Sequence, residues 1–259
     1  MTSAVRSQTA DAIKVITLNR PRSLNAMNVD LVTGLVNELS SLNGVKAVIL
    51  EGAGRAFCAG EDLKQTLAPK TGRPDELRVA LEMLQEITRL ITSFDGAVVA
   101  AVNGYAIGGG AELAFAADIV VAAPDAKFRF PETEIGHAVT GGISSRLPAI
   151  VGLARAKDLL LTSRWFSAEE AYRIGLIAEL AADPRNRARE IASTLARYPK
   201  RSVASAKHSL EIAAQADLER QLRWEVEAAM GCFATPEAGA IFRTFKSRRP
   251  AGHRGRRSA

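Results

Sequence analysis

The sequence predicts an α/β fold, a largely parallel sheet wound with helices and followed by a run of helices to the C-terminal end. Three observations carry this. Short apolar runs alternate with stretches of helical period over residues 11–130. The clearest run, Ala97 to Val102, is short and β-branched enough for a buried strand. Beyond about residue 130 the β pattern nearly vanishes, and one helical stretch follows another.

Taken in order, residues 11–18 alternate enough for a first strand, which Pro21 ends because it cannot continue a ladder. Asn28 is placed to cap a helix over 29–42, with apolar residues at 31, 32, 35, 36, 39 and 42, and Gly44 stops it. A second strand spans 46–51. Residues 65–74 are polar with two prolines and read as a surface loop, and 75–94 form a long amphipathic helix. The strand over 97–102, a helix to Ala117, a strand over 118–123 and a short strand over 127–130 complete the β/α succession. Helices are then expected over 143–151, 153–162, 168–174 and 187–198, the third opened by a turn at 163–167 and a capping box from Ser167 to Glu170. One short strand, 176–180, interrupts them. Three more helices, 203–214, 218–232 and 236–245, form a C-terminal appendage, so the chain reads as a core over 1–198 and a helical oligomerisation region over 199–259.

Composition narrows the function. The 259 residues suffice for a sizeable core, and 47% hydrophobic with 24% charged residues is ordinary for a soluble domain. No apolar run reaches the roughly 18 residues of a membrane helix, and no apolar leader stands at the start, so a cytoplasmic, membrane-free protein is expected. Two cysteines and three histidines make neither a disulfide framework nor a metal cluster. The net charge of +6 belongs to one end: seven Lys or Arg stand from Arg243 onward with no acid among them. Setting them aside leaves 27 bases against 28 acids. Such a tail binds nucleic acid weakly, touches a phosphate-bearing ligand or is simply solvated, the last being the commonest case.

Two glycine-bearing loops follow strands. One runs Gly52 to Lys64, and its third glycine position is Phe57, so it fails as a dinucleotide fingerprint; neither loop has the Lys-Ser/Thr of a phosphate-binding P-loop. The other holds Gly108, Gly109 and Gly110 at a helix start. Bare peptide N–H groups and the macrodipole there suit a negative oxygen, although a tight packing turn would use the same residues. Glu112 sits in the first turn of that helix and Glu132 follows Phe130-Pro131. Each taken singly is more readily a solvated surface glutamate than a catalytic one. Both lie among apolar neighbours, where an unpaired carboxylate is costly, and a pair flanking one cleft can activate water with one group and deliver a proton with the other.

Three motifs in order, Phe57-Cys58-Ala59-Gly60-Glu61-Asp62-Leu63-Lys64, Ala100 to Glu112, and Phe128-Arg129-Phe130-Pro131-Glu132, resemble the enoyl-CoA hydratase/isomerase (crotonase) family. The likeness runs from Asn19-Arg20-Pro21 and Leu24-Asn25-Ala26 to about Leu180, and more loosely to the end. It implies stacked ββα turns with a C-terminal helical trimerisation region, assembled as a homotrimer or a dimer of trimers. It implies an acyl-CoA thioester as substrate and no separate cofactor or metal, coenzyme A being part of the substrate. The oxyanion donors would be the N–H groups of Glu61 and Gly109. Arg22, Leu24, Ala59, Asp62, Leu63 and Lys64 match segments lining coenzyme A, and Tyr105 and Ile107 would wall an acyl tunnel, with Pro131 beside them. By the same resemblance Glu112 handles the water and Glu132 the proton.

Departures from the family pattern are visible too. The loop 136–142 carries Thr140 where a glycine is usual near the water. His137 is read as a bystander, Cys58 as a small buried residue, and the Glu61 side chain is expected to point away from developing negative charge. Hydration of a 2-enoyl-CoA is thus the leading expectation. Isomerase or hydratase-lyase chemistry on the same scaffold is the near alternative. An RNA-binding or assembly protein using the basic tail is the distant one, with nucleic acid not expected at the core.

Overall fold

The computed structural model describes residues 3–67, 73–214 and 218–247. Strands β1 (Val5–Ala10) and β2 (Ile13–Leu18) form an antiparallel hairpin turned through Asp11 and Ala12, both at left-handed φ of 50° and 63°. The first strand expected at 11–18 is therefore the hairpin's second. Only Val5 of β1 is buried, so no apolar pattern marks it.

After helix α1 (Val29–Ser40) the chain repeats one unit. A strand enters a large sheet, the chain turns a corner, a short strand enters a second sheet, and a helix follows. The units are β3 (Ala47–Gly52), β4 (Ala56–Cys58) and α2 (Pro74–Ser93); β5 (Ala97–Val102), β6 (Tyr105–Ile107) and α3 (Gly109–Ala116); and β7 (Ile119–Ala122), β8 (Lys127–Arg129) and α4 (Ile143–Val151). Helices α5 (Leu153–Thr162), α6 (Ala168–Arg173) and α7 (Pro184–Arg197) follow, with β9 (Phe166–Ser167) and β10 (Glu179–Leu180) between them. The large sheet runs β1-β2-β3-β5-β7-β10, parallel from β2 onward, and the smaller β4-β6-β8-β9. Residues 163–167, expected as a turn, thus include a strand antiparallel to β8. The expected strand 176–180 shortens to its last two residues.

The large sheet is covered on both faces, which is why its strands read as unbroken apolar runs. Val48, Leu50, Val98 and Ala100 face the main core under α1 to α4. Ala47, Ile49, Val99 and Ala101 meet Ala188 and Ala192 of α7. Asn28 caps α1, its side chain accepting from Leu31 N–H. Ser167 caps α6, but the Glu170 carboxylate turns to Arg164, so only half the capping box forms. Asp183 caps α7, starting it at Pro184 and earlier than its apolar period suggests.

Helices α8 (Lys200–Ala214), α9 (Leu218–Phe233) and α10 (Pro236–Ser247) fold back over their own core. Val226, Ala229, Phe233, Ala238 and Phe242 bury against Leu77 and Leu81 of α2. The basic residues from 248 onward lie outside the described residues.

Candidate active site

The site is built where the β5-β6-α3 unit meets the loop after β4. Three glycines have three separate reasons to be there. Gly108 takes φ 52°, and a Cβ on it would lie 2.7 Å from Glu132 Oε1. A Cβ on Gly109 would lie 2.7 Å from Glu61 Oε1, and one on Gly110 2.2 Å from the Cys58 carbonyl. The bare turn thus seats α3 tightly on β4, as the packing reading expects, and leaves room beside it for the Glu61 and Glu132 carboxyls.

The second loop is stitched to the segment after β2. Met27 N–H donates to Gly60 O at 2.8 Å, Asp62 N–H to Met27 O at 3.0 Å, and Ala59 N–H to Leu24 O at 3.0 Å. Asn25, fully buried, donates its amide to the carbonyls of Ala53, Ala56 and Phe57 and so holds the β3–β4 corner. Within Leu24-Asn25-Ala26 nothing local marks Asn25 for this work, because its partners stand about 30 residues further along the chain. Arg20 pairs with Asp62 at 3.2 Å, and Asp62 also accepts from Gln65 N–H, so that carboxylate is committed to the loop itself. Arg22 and Lys64 are exposed on these loops, while Leu24, Ala59 and Leu63 are half-buried between them.

Three glutamates converge. Glu112, in the first turn of α3, is buried and gripped on both oxygens by Thr140, whose N–H donates to Oε1 at 2.8 Å and hydroxyl to Oε2 at 2.5 Å. Thr140, noted as standing where a glycine is usual near the water, clamps Glu112 through both its N–H and its hydroxyl. Glu132 is buried beside Pro131, and its Oε2 has no hydrogen-bond partner among the described residues. The Glu61 carboxylate is turned onto the glycine turn, where a Cβ on Gly109 would meet its Oε1 and the Glu61 and Gly109 peptide groups help hold its charge. The expectation that this side chain points away is thus overturned. Gly109 N–H opens α3 and has no acceptor within that helix, so a carboxylate beside it is favoured by the helix start.

Crowding raises all three acids. Burial pushes Glu112 well above the usual carboxylate range, and the charges of Glu132 and Glu61 push further, against the two bonds from Thr140. Burial, then repulsion from Glu61, lifts Glu132 to about 8, with Arg129 pulling weakly the other way. Burial raises Glu61 against its two peptide donors. A consequence for stability follows from Glu132. Between its unfolded value of 4.5 and about 8 the folded chain holds a proton that the unfolded chain has lost. Stability therefore falls as pH rises through that window. Thermal unfolding should come at lower temperature at about pH 8 than at about pH 5, and Glu132→Gln should flatten the dependence. Equal slopes in the two proteins would remove Glu132 as its source.

Two narrow pockets flank the acids. One lies between α1 and α2, with Glu61 at one side and Met27, Val32, Leu81 and Leu84 around it. The other joins Met27 and Leu84 to Gly109, Glu112 and Thr140. Tyr105 and Ile107, expected as tunnel walls, line neither, and the Tyr105 ring packs edge-on against Trp165 with centroids 5.9 Å apart. The α2 residues that do line them carried no mark beyond helical period. His137 lies buried against Phe233 at 4.6 Å, and burial lowers it to about 4. Cys58 is buried, its thiol pushed up to about 12 by burial, and donates to Asn25 O, in keeping with a packing role.

A family model described as enoyl-CoA hydratase/isomerase matches residues 8–255. The chain is 32% identical over 243 residues to a short-chain-enoyl-CoA hydratase of Clostridium acetobutylicum, covering 92% of each. It is also 32% identical over 249 residues to a crotonyl-CoA hydratase of Syntrophomonas wolfei, covering 93% of this chain and 94% of the relative. The crystal structure of an enoyl-CoA hydratase/isomerase from Mycobacterium paratuberculosis superposes with a TM-score of 0.87 at 31% identity, over 94% of this chain and 99% of that one. No helix among the described residues is long and apolar enough to cross a membrane.

Proposed function

The chain belongs to the enoyl-CoA hydratase/isomerase family, an enzyme of the crotonase superfamily, and on that premise we propose that it adds water across a 2-enoyl-CoA thioester to give the 3-hydroxyacyl-CoA. The observation that supports the reading is the approach of the Glu61 loop to the Gly108–Gly109 turn, far apart in sequence, which sets the Glu61 carboxyl at one position beside the turn with Glu112 and Glu132 around it. A thioester carbonyl oxygen at that position develops enolate charge as the reaction proceeds, and fixed donors aimed there are worth roughly 3–4 kcal/mol each in such sites.

In this mechanism Glu112 takes a proton from water while the water oxygen bonds to Cβ. The π electrons shift onto the thioester oxygen, and Glu132 gives its proton to Cα as the enolate collapses. Atoms balance once the proton on Glu112 returns to Glu132. The hydrogen bonds support that division. Thr140 donates twice to Glu112 and so favours its ionised form, whereas the unpartnered Glu132 Oε2 suits a protonated acid. A proton on Glu132 removes its share of the repulsion on Glu112, leaving burial as the main influence that raises it. Arg22 and Lys64 face solvent on the loops next to the site and are placed for the phosphates or adenine of coenzyme A. The reading includes a cytoplasmic homotrimer or dimer of trimers, with 199–259 as the oligomerising region of a core over 1–198.

Double-bond migration is the second reading, and it needs only one of the two acids; the presence of both favours hydration. Loss of enoyl absorbance on adding the protein to crotonyl-CoA tests it, a short acyl chain being suggested by the narrow pockets and by the names of the relatives. Turnover of crotonyl-CoA, with little isomerisation of a 3-enoyl-CoA, is expected. Activity on the 3-enoyl-CoA alone would replace hydration by isomerisation.

A further inference from the structure

Nothing in the proposed hydration requires an acid side chain at position 61, since only its peptide N–H is used. Yet this side chain stands inside the site. A Cβ placed on Gly109 would lie 2.7 Å from Glu61 Oε1 and 3.0 Å from its Cδ, and one on Gly108 3.7 Å from Oε2. The carboxylate therefore lies against both glycines, and the Glu61 and Gly109 peptide groups beside it favour its charged form. Burial and these donors act on its charge, with Glu132 and Glu112 as acidic neighbours and Met27, Leu81 and Leu84 as apolar ones. A surface glutamate has no reason to accept that company. Two strong donors inside a partly closed pocket supply one.

Taking the acyl-CoA reading above as its basis, we infer that the Glu61 carboxylate is a built-in competitor for the thioester carbonyl, holding the Glu61 and Gly109 N–H groups until an incoming carbonyl displaces it. Glu61 is thereby a specificity-determining residue. A ligand gains little from the two peptide donors, because it replaces one oxygen acceptor by another. It must also leave the displaced carboxylate somewhere, and Glu61, only half-buried, has solvent beside it. An acyl-CoA that carries a strong acceptor, such as the enolate oxygen of a 3-oxoacyl-CoA, displaces it more readily than a weak one. The side chain thus raises the bar for entry without touching the bonds that change.

The competitor is tested by isothermal titration of wild type, Glu61→Ala and Glu61→Gln with acetoacetyl-CoA and, separately, with free coenzyme A. Truncation to Ala keeps the peptide N–H and replaces the carboxylate by water. It is expected to tighten acetoacetyl-CoA binding about tenfold or more, while the affinity for free coenzyme A, which has no thioester carbonyl, stays the same. Glu61→Gln keeps an oxygen that can accept from Gly109 N–H and loses the charge, so it should fall between the two. It also serves as the readout if the Ala variant does not fold. Unchanged or weaker acetoacetyl-CoA binding in the folded variants, with coenzyme A still bound, would overturn the competitor and leave the acyl-CoA reading standing. Failure of wild type to bind either compound would overturn the acyl-CoA reading and the competitor with it.

Discussion

Glu112→Gln and Glu132→Gln are each expected to lower crotonyl-CoA hydration by about 10²–10⁴-fold, with acetoacetyl-CoA binding nearly unchanged. Glutamine has the shape of glutamate, so the test removes proton transfer and little else. At 112 the amide oxygen can still accept Thr140 N–H, and the amide NH₂ can donate to the Thr140 hydroxyl, so the clamp survives in altered polarity. At 132 the carboxyl is already uncharged over much of the neutral range, and an uncharged amide replaces it without new repulsion. What each variant lacks differs. An amide at position 112 cannot take a proton from water, and one at position 132 has no acidic proton for Cα. The double variant should therefore cost little more than the worse single one, because a step that needs both groups is already lost with either. Rates within twofold of wild type in either single variant would take that residue out of the mechanism.

Much of this arrangement was legible in the residues, and what was not shares a physical cause. Asn28 as a cap, the helix over 143–151 and the buried strand over 97–102 follow from local rules acting within a few residues, and the structure keeps them. Strand β1 escaped because only Val5 of its six residues is buried, so it lacks a pattern of its own and exists by pairing with β2. Strands β4 and β6 are three residues each, too short to show a period. Within the site, residue types located Glu112 and Glu132, but the direction of the Glu61 side chain depended on which peptide donors lay within its reach. One of those donors comes from a loop far along the chain. Thr140 read as a departure from a glycine, and only its contact with Glu112 turns it into a clamp.

The longest reach of this kind comes from Glu225 in α9, and its removal is the second large effect. Glu225 is 2% exposed and accepts from Gly142 N–H at 2.8 Å, Ser144 N–H at 3.1 Å, the Ser144 hydroxyl, and the Gln85 amide at 3.1 Å. Gln85, fully buried in α2, accepts in turn from Gly141 N–H at 2.9 Å, and Thr88 donates to Gly141 O at 3.0 Å. The loop that carries Thr140 to Glu112 is thus held between α2 and α9. Burial raises the Glu225 carboxyl, opposed by these same donors, so an ionised acid is held there at some cost. Glu225→Ala removes that cost but takes the acceptor from the buried Gly142 N–H and the half-buried Ser144 N–H, at about 1–3 kcal/mol apiece, and leaves the Gln85 amide only Leu222 O. A net loss of about 3 kcal/mol lowers the melting temperature by about 6–12 °C in a chain of this size. Hydration should fall as well, by up to about 10²-fold, since a shift of about 1 Å in Thr140 releases Glu112 from its aim. Glu225→Gln keeps one acceptor oxygen and turns an NH₂ toward donors, so it should sit between wild type and Ala in both measurements. Thermal unfolding and crotonyl-CoA kinetics on the three proteins decide the matter. If Glu225→Ala melts and turns over like wild type, the C-terminal helices do not hold the catalytic loop, and its order must come from α2 alone.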